Sequence, residues 1–313
     1  MKSIKMNVVI FGTSQFTIEY AKAILESKNF NLLAIFTFKK KLLPLNPANI
    51  TKFTKQNNIK CFKIEDINHV NVAAQLTKLN ADLIFVEWPR IIENSILNIP
   101  NKFVIGLHPT DLPYCRGRHP LHWLICMDKK ETKLSFFIIN KEVDNGDIIL
   151  KIPIKISKNE TINTLNQKFY NAIFIGTKKI CKQINNNSIK LKKQKQKNAT
   201  YLRKRNIHDG IIDPRMSSRS IINHINSVAP PYSCANIIIE DQIYLIKEAA
   251  ILKNKIKKYQ YFEYGRVVKS TIEYLDLKVI DGIIRLYFIE PLKNVLKNEC
   301  IHPPTYYISK YNM

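Results

Sequence analysis

At 313 residues, 45% of them hydrophobic, the chain is long enough for two domains with separate cores and too apolar for a disordered polymer. No uninterrupted apolar run reaches the roughly 18 residues that span a bilayer, and the opening dozen residues read as a buried strand, so a cytoplasmic protein with no membrane partner is expected. The formal charge of +24 invites an anionic partner such as RNA, but only nine of the 49 basic residues are arginine, the better bidentate phosphate ligand, and drift toward lysine is favoured over tRNA binding as its source.

Residues 6–12 form the first predicted strand, 13–25 carry apolar side chains at helical spacing, and 32–36 are a second strand. A polar, proline-containing loop over 39–49 precedes a helix at 50–57, a strand at 60–63, a helix at 70–79 and the apolar strand 83–86. Strand 103–107 leads into a loop holding His108, a helix follows at 121–126, and strand 134–139 leads into a loop holding Asp144. A strand at 148–154 and a long amphipathic helix at 161–183 complete the pattern. This alternation predicts an α/β, Rossmann-like domain with a mostly parallel, doubly wound sheet and right-handed crossovers. Only Gly12 marks the first turn, so the phosphate fingerprint of a dinucleotide fold is missing.

Asn and Lys crowd residues 183–197, which reads as a solvated crossing between domains. Beyond it, short strand candidates at 236–239, 243–246, 265–268, 277–280 and 283–288, with turns such as Asp281-Gly282, fit a small antiparallel barrel. The predicted division is 1–183, a basic linker at 184–200, and 201–313.

Two loops concentrate the chemistry. Residues 105–117 read Ile-Gly-Leu-His-Pro-Thr-Asp-Leu-Pro-Tyr-Cys-Arg-Gly, and 143–147 read Val-Asp-Asn-Gly-Asp. His108 should emerge at a strand end, where open α/β sheets bind ligands, and a neighbouring carboxylate can orient a histidine that accepts a proton. The competing reading is that His108 caps a loop and Asp144 makes an Asx turn. The six cysteines are scattered, without a Cys-x-x-Cys pair, and read as reduced packing residues; Cys115, within the first loop, carries a minor alternative as a reactive thiol. His119 and His122 share a helix face but lack a third ligand, so no metal is expected.

His-Pro-Thr-Asp-Leu-Pro-x-x-Arg-Gly resembles the His-x-Ser-Leu-Leu-Pro-x-x-Arg-Gly loop of folate-dependent formyltransferases, and Asp-Asn-Gly-Asp resembles their Asp-x-Gly-Asp. The resemblance covers nearly the whole chain. It implies a formyltransferase domain over 1–183, an OB-like domain over 201–313, 10-formyltetrahydrofolate as co-substrate, and His108 and Asp144 as the catalytic pair. It also implies a folate slot from Phe85, Val86, Trp88, Leu112, Ile139, Val143 and Asp144. Arg116 and Gly117 shape the closing loop and are assigned, with Arg90 and Arg118, to substrate. One position departs: the family pattern begins Asn-x-His with a catalytic asparagine, and this chain has Gly106 there. Compensation, by loop N–H groups, His119 or Arg118 or by an ordered water, is favoured over a degenerate site.

For the acceptor, Arg-Gly-Arg-His-Pro-Leu-His-Trp over 116–123 and Asp-Gly-Ile-Ile-Asp over 209–213 resemble the family's nucleotide-sugar enzymes. Lys-Lys-Lys-Leu-Leu-Pro-Leu-Asn-Pro over 39–47 resembles the loop with which its tRNA enzymes grip initiator tRNA. A nucleotide-linked amino sugar is ranked first, initiator tRNA second and a degenerate RNA-binding homologue third; a homodimer is left open.

Overall fold

A computed structural model describes residues 5–44, 46–252, 257–297 and 299–304. Two compact units divide the chain. The first is drawn from residues up to 120 together with 131–155 and 166–203, and the second from 121–130, 156–165 and the described residues from 204 onward.

The first unit begins with β1 (Met6–Gly12), α1 (Gln15–Leu25), β2 (Phe30–Phe38), α2 (Ile50–Gln56), β3 (Lys60–Ile64), α3 (Val70–Leu79), β4 (Leu83–Glu87), α4 (Asn94–Leu97), β5 (Phe103–His108) and β6 (Arg116–Gly117). Along the chain follow α5 (Pro120–Cys126), nearly all of it in the second unit, then β7 (Glu131–Ile138) and β8 (Ile148–Lys155) of the first, α6 (Ile162–Asn185), whose residues 162–165 fall in the second, and β9 (Tyr201–Leu202) of the first. Val8 to Phe11 are all buried, as expected of a strand covered on both faces, and α1 starts where the Ser14 hydroxyl accepts a hydrogen bond from the Phe16 amide. The sheet order is β3-β2-β1-β4-β5-β7-β8; the pairs from β3 to β5 are parallel, and β7 and β8 run antiparallel. Strand order reverses at β1, which pairs with β2 on one side and β4 on the other, so the switch-point crevice opens beyond β1 and β4. β5 lies beside it: Gly106 is flanked by Val86 on β4 and Phe137 on β7.

Residues 184–200, expected to be a linker, fall in the first unit. Lys192 exchanges backbone hydrogen bonds with Ile148, Gln194 is buried, and β9 pairs with β6. Hydrophilic composition cannot separate a solvated crossing from a strand whose few inward side chains do the packing. Gly117, at φ 100°, allows the β6–β9 approach, because a Cβ there would lie 2.5 Å from the Leu202 carbonyl oxygen.

In the second unit α7 (Ser218–Ser227) precedes β10 (Ala235–Ile239), β11 (Gln242–Ile251), β12 (Val267–Ser270), β13 (Tyr274–Val279) and β14 (Gly282–Phe288). These form a separate antiparallel sheet, ordered β10-β11-β14-β13-β12. Ile221 and Ile225 of α7 share its core with Ile237, Leu275, Leu277 and Leu286. Among the described residues no helix is long and apolar enough to cross a membrane.

Candidate active site

His108 ends β5 and is 4% exposed, so it lies beneath the surface rather than out in an open loop. Its Nδ1 is 3.4 Å from Oδ2 of Asp144, and its Nε2 is 2.8 Å from the Cys115 carbonyl oxygen. Both ring nitrogens therefore face acceptors; a neutral imidazole satisfies one and a doubly protonated ring both. Asp144 Oδ2 also accepts from the Gly117 amide at 2.9 Å. The two motif loops are thus joined through one carboxylate oxygen. The intervening loop is pinned as well: the Thr110 hydroxyl donates to the Tyr114 carbonyl, and Ser135 donates to the Thr110 carbonyl and accepts from the Leu112 amide. Burial pushes the Asp111 carboxyl up, but Lys151 and Lys133 bonded to it hold it below the usual carboxylate range.

Arg116, expected at the substrate, is fully buried. Its guanidinium donates to the Tyr201 hydroxyl, to Asn145 Oδ1 and to Gln194 Oε1. Gln194 in turn donates from Nε2 to the carbonyl oxygens of Asp144 and Gly146. No sequence reading singled out Gln194, because it lies in a tract that alternates Lys and Gln without local pattern.

Two residues before His108 on β5 the surroundings are apolar. A Cβ on Gly106 would come within 2.8 Å of Ile139 Cγ1 and 3.1 Å of the Phe137 ring, so the space in which a longer residue would project is already filled. Ile139 belongs to two apolar clusters, one with Val86, Trp88, Phe11 and Phe36, the other with Leu112, Phe137 and Ile148. Ile139 therefore joins Val86 and Trp88 on one side to Leu112 on the other, next to Gly106. Trp88 packs on Phe38, ring centroids 4.0 Å apart, and among the described residues its buried Nε1–H has no acceptor, which leaves a donor for a ligand with ring carbonyls or nitrogens.

Four assigned residues do not join them. Phe85 is fully buried against Tyr20, with ring centroids 5.1 Å apart, because alternation along β4 turns it to the face opposite Val86. Arg90 and Arg118 are exposed: Arg90 lies over the Phe38 ring and donates to the Glu65 carbonyl, and Arg118 donates to the Pro89 carbonyl. Val143 is also exposed, next to Asp144.

Glu87, between Val86 and Trp88 at the strand end that the resemblance assigns to the folate slot, has a different role that no motif announced. Its Oε2 accepts from the amides of Thr13 and Ser14 and from the Thr17 hydroxyl, so the chain's own carboxylate occupies the N-terminus of α1. That is the place where a dinucleotide phosphate binds in a Rossmann fold, and it accounts for the missing fingerprint physically. Burial raises the Glu87 carboxyl above its ordinary range against those donors. Within the second unit, His122 Nδ1 lies 2.6 Å from the Ser227 carbonyl. Among the described residues no group of three His, Cys, Asp or Glu is placed to hold a metal.

Residues 4–173 match the family model described as Formyl transferase. The chain is 30% identical to the methionyl-tRNA formyltransferase of Ehrlichia chaffeensis, over 72% of this chain and 75% of the relative. Its fold is similar to that of WlaRD, a sugar 3N-formyl transferase solved with dTDP and 5-N-formyl-THF (TM-score 0.68, 21% identity, 92% of this chain and 99% of that one). It is similar also to an N-formyltransferase from Helicobacter canadensis solved with folinic acid and dTDP-3-aminofucose (TM-score 0.70, 18% identity, 90% and 99%).

Proposed function

The chain belongs to the formyl transferase family, and from that premise we propose that it is a folate-dependent N-formyltransferase acting on the primary amine of a nucleotide-linked amino sugar. The observation that carries the reading is the buried His108–Asp144 contact at 3.4 Å, set beside an apolar cluster with an unpaired indole N–H. 10-Formyltetrahydrofolate supplies the formyl group. Val86, Trp88, Leu112 and Ile139 would hold its ring system, with the exposed backbone of 140–143 at the rim.

His108 accepts the amine's proton at Nε2 once the amine takes the place of the Cys115 carbonyl, and Asp144 at Nδ1 holds the ring's orientation and supports its cationic form. The imidazolium so formed is a cation beside the formyl oxygen as negative charge builds there, and it returns its proton to the folate nitrogen as the bond from that nitrogen to the formyl carbon breaks. That charge compensates in part for the amide absent at Gly106, where the loss of one donor ordinarily costs ~10²–10³ in rate.

The sugar reading is favoured over tRNA by the motifs at 116–123 and 209–213. Two of the lysines in the tRNA-like loop, Lys39 and Lys41, both pair with Glu65 at 3.0 Å; such exposed pairs are weak, yet they offset positive charge where a phosphate grip would need it. Purified protein given the folate donor and dTDP- or UDP-linked amino sugars should form an N-formyl sugar, saturably and with little dependence on salt. Formylation of charged initiator tRNA, with affinity falling steeply as salt rises, would transfer the proposal to the second acceptor.

A further inference from the structure

We infer that Gln194 is a positioning residue for formyl transfer: with the buried Arg116 it clamps the loop that carries Asp144 in the one conformation that meets His108. The inference rests on the formyl-transfer reading above.

Asp144 sits at φ 51°, in the left-handed region that a residue with a side chain seldom adopts unless its surroundings fix it. The fixing groups can be traced. The Asp144 carboxylate is held by the Gly117 amide, its carbonyl and that of Gly146 by Gln194 Nε2, each at 2.8 Å, and the intervening Asn145 side chain by Arg116. Gln194 and Arg116 bond to each other at 2.7 Å, and Asn145 bonds onward to Glu142. All three side-chain hydrogen bonds of Gln194 cross at least 48 residues of sequence and end on this loop or on the arginine that braces it.

Arg116 makes the arrangement directional. Among the described residues its guanidinium is bonded only to neutral groups, with Nε left unpaired. A buried cation satisfied by amide and hydroxyl oxygens holds them in a fixed fork without neutralising a carboxylate, so Asp144 stays available to His108. Glutamine suits position 194 because one amide presents an acceptor to the cation and donors to two carbonyls. Neither a carboxylate nor an ammonium at that place can do both.

Gln194→Ala should lower kcat by about 10–100-fold, the range typical of removing a group that orients a ligating or catalytic side chain, while KM for the folate donor stays within about threefold. In histidine-selective NMR spectra, the His108 cross-peaks, assigned by their loss in His108→Gln, should move toward their positions in Asp144→Asn. Asp276→Asn in the second unit serves as the control for loss of stability alone and should leave both readouts in place. If Gln194→Ala does not fold, Gln194→Asn, too short to span both carbonyls, takes its place under the same criteria. A folded variant with kcat within twofold of wild type, or with unmoved His108 cross-peaks, overturns the inference. The spectra need no substrate, so a wild-type protein that transfers no formyl group would defeat the functional reading while the clamp is still judged by His108.

Discussion

Buried polar groups are arranged differently in the two units. In the first, His108, Asp144, Arg116 and Gln194 are linked within a single network around one pair of loops. In the second, Asp276, fully buried, pairs with Arg285 at 2.6 Å across neighbouring strands, and Lys278 donates to the adjacent Val279 carbonyl. An ion pair between neighbouring strands satisfies desolvated charge, whereas a network that converges on one histidine constrains the geometry of that residue. The proposed chemistry draws on the network of the first unit, and stability on these pairs of the second.

Several substitutions can break that contrast. The largest effect should come from Asp144→Asn or His108→Gln, which should lower kcat by ~10²–10⁴-fold with little change in Tm, read from steady-state kinetics beside thermal melts. The opposite signature is expected of Asp276→Asn: leaving Arg285 without its carboxylate should cost about 3 kcal/mol in chemical denaturation, with kcat within twofold. A variant of the second unit that lost activity while keeping stability would erase the distinction.

Gly106→Asn sharpens the contrast within the first unit. Ile139 and Phe137 already fill the space, so overpacking should destabilise the fold by about 1–3 kcal/mol with no gain in rate. Gly106→Asn combined with Ile139→Ala should regain stability and raise kcat by less than about tenfold; a gain near the ~10²–10³ of a restored oxyanion donor would mean that nothing in this chain had compensated.

The smallest effect is a pH dependence in the second unit. Burial, aided by the charge of Arg205, pushes His224 from 6.5 down to about 4. Between those values the unfolded chain binds the proton and the folded one does not, so stability falls as the pH drops through this window, by up to about 2 kcal/mol at pH 5. His224→Gln should flatten that part of the stability–pH curve, and an unchanged slope would rule His224 out as its source.

Much of this was legible in the residues. The βαβ alternation, the strand ends that carry His108 and the approach to Asp144, and the antiparallel character of the later strands all follow from apolar spacing and turn residues, which act locally. Phe85 could have been assigned to the core by counting alternation from Val86, since successive residues of β4 face opposite ways. Arg116 and Gln194 were beyond local reading. An arginine in a glycine-flanked loop looks like a ligand contact until its burial is known, and Gln194 differs from its Lys and Gln neighbours only in what the fold brings next to it, 50 residues away at Asp144. Glu87 belongs with them, since nothing in its strand announces that it will seat on the N-terminus of α1.

Proton transfer through His108, held by Asp144, is the central step of the proposed reaction. Transfer of an isotope-labelled formyl group from 10-formyltetrahydrofolate, followed in a single turnover with nucleotide-linked amino sugars and with charged initiator tRNA, measures it directly in wild type and Asp144→Asn. Labelled N-formyl sugar from the wild type, formed at least a hundredfold more slowly by the variant, is the predicted result. No labelled product from any acceptor, or equal rates from the two proteins, would contradict it.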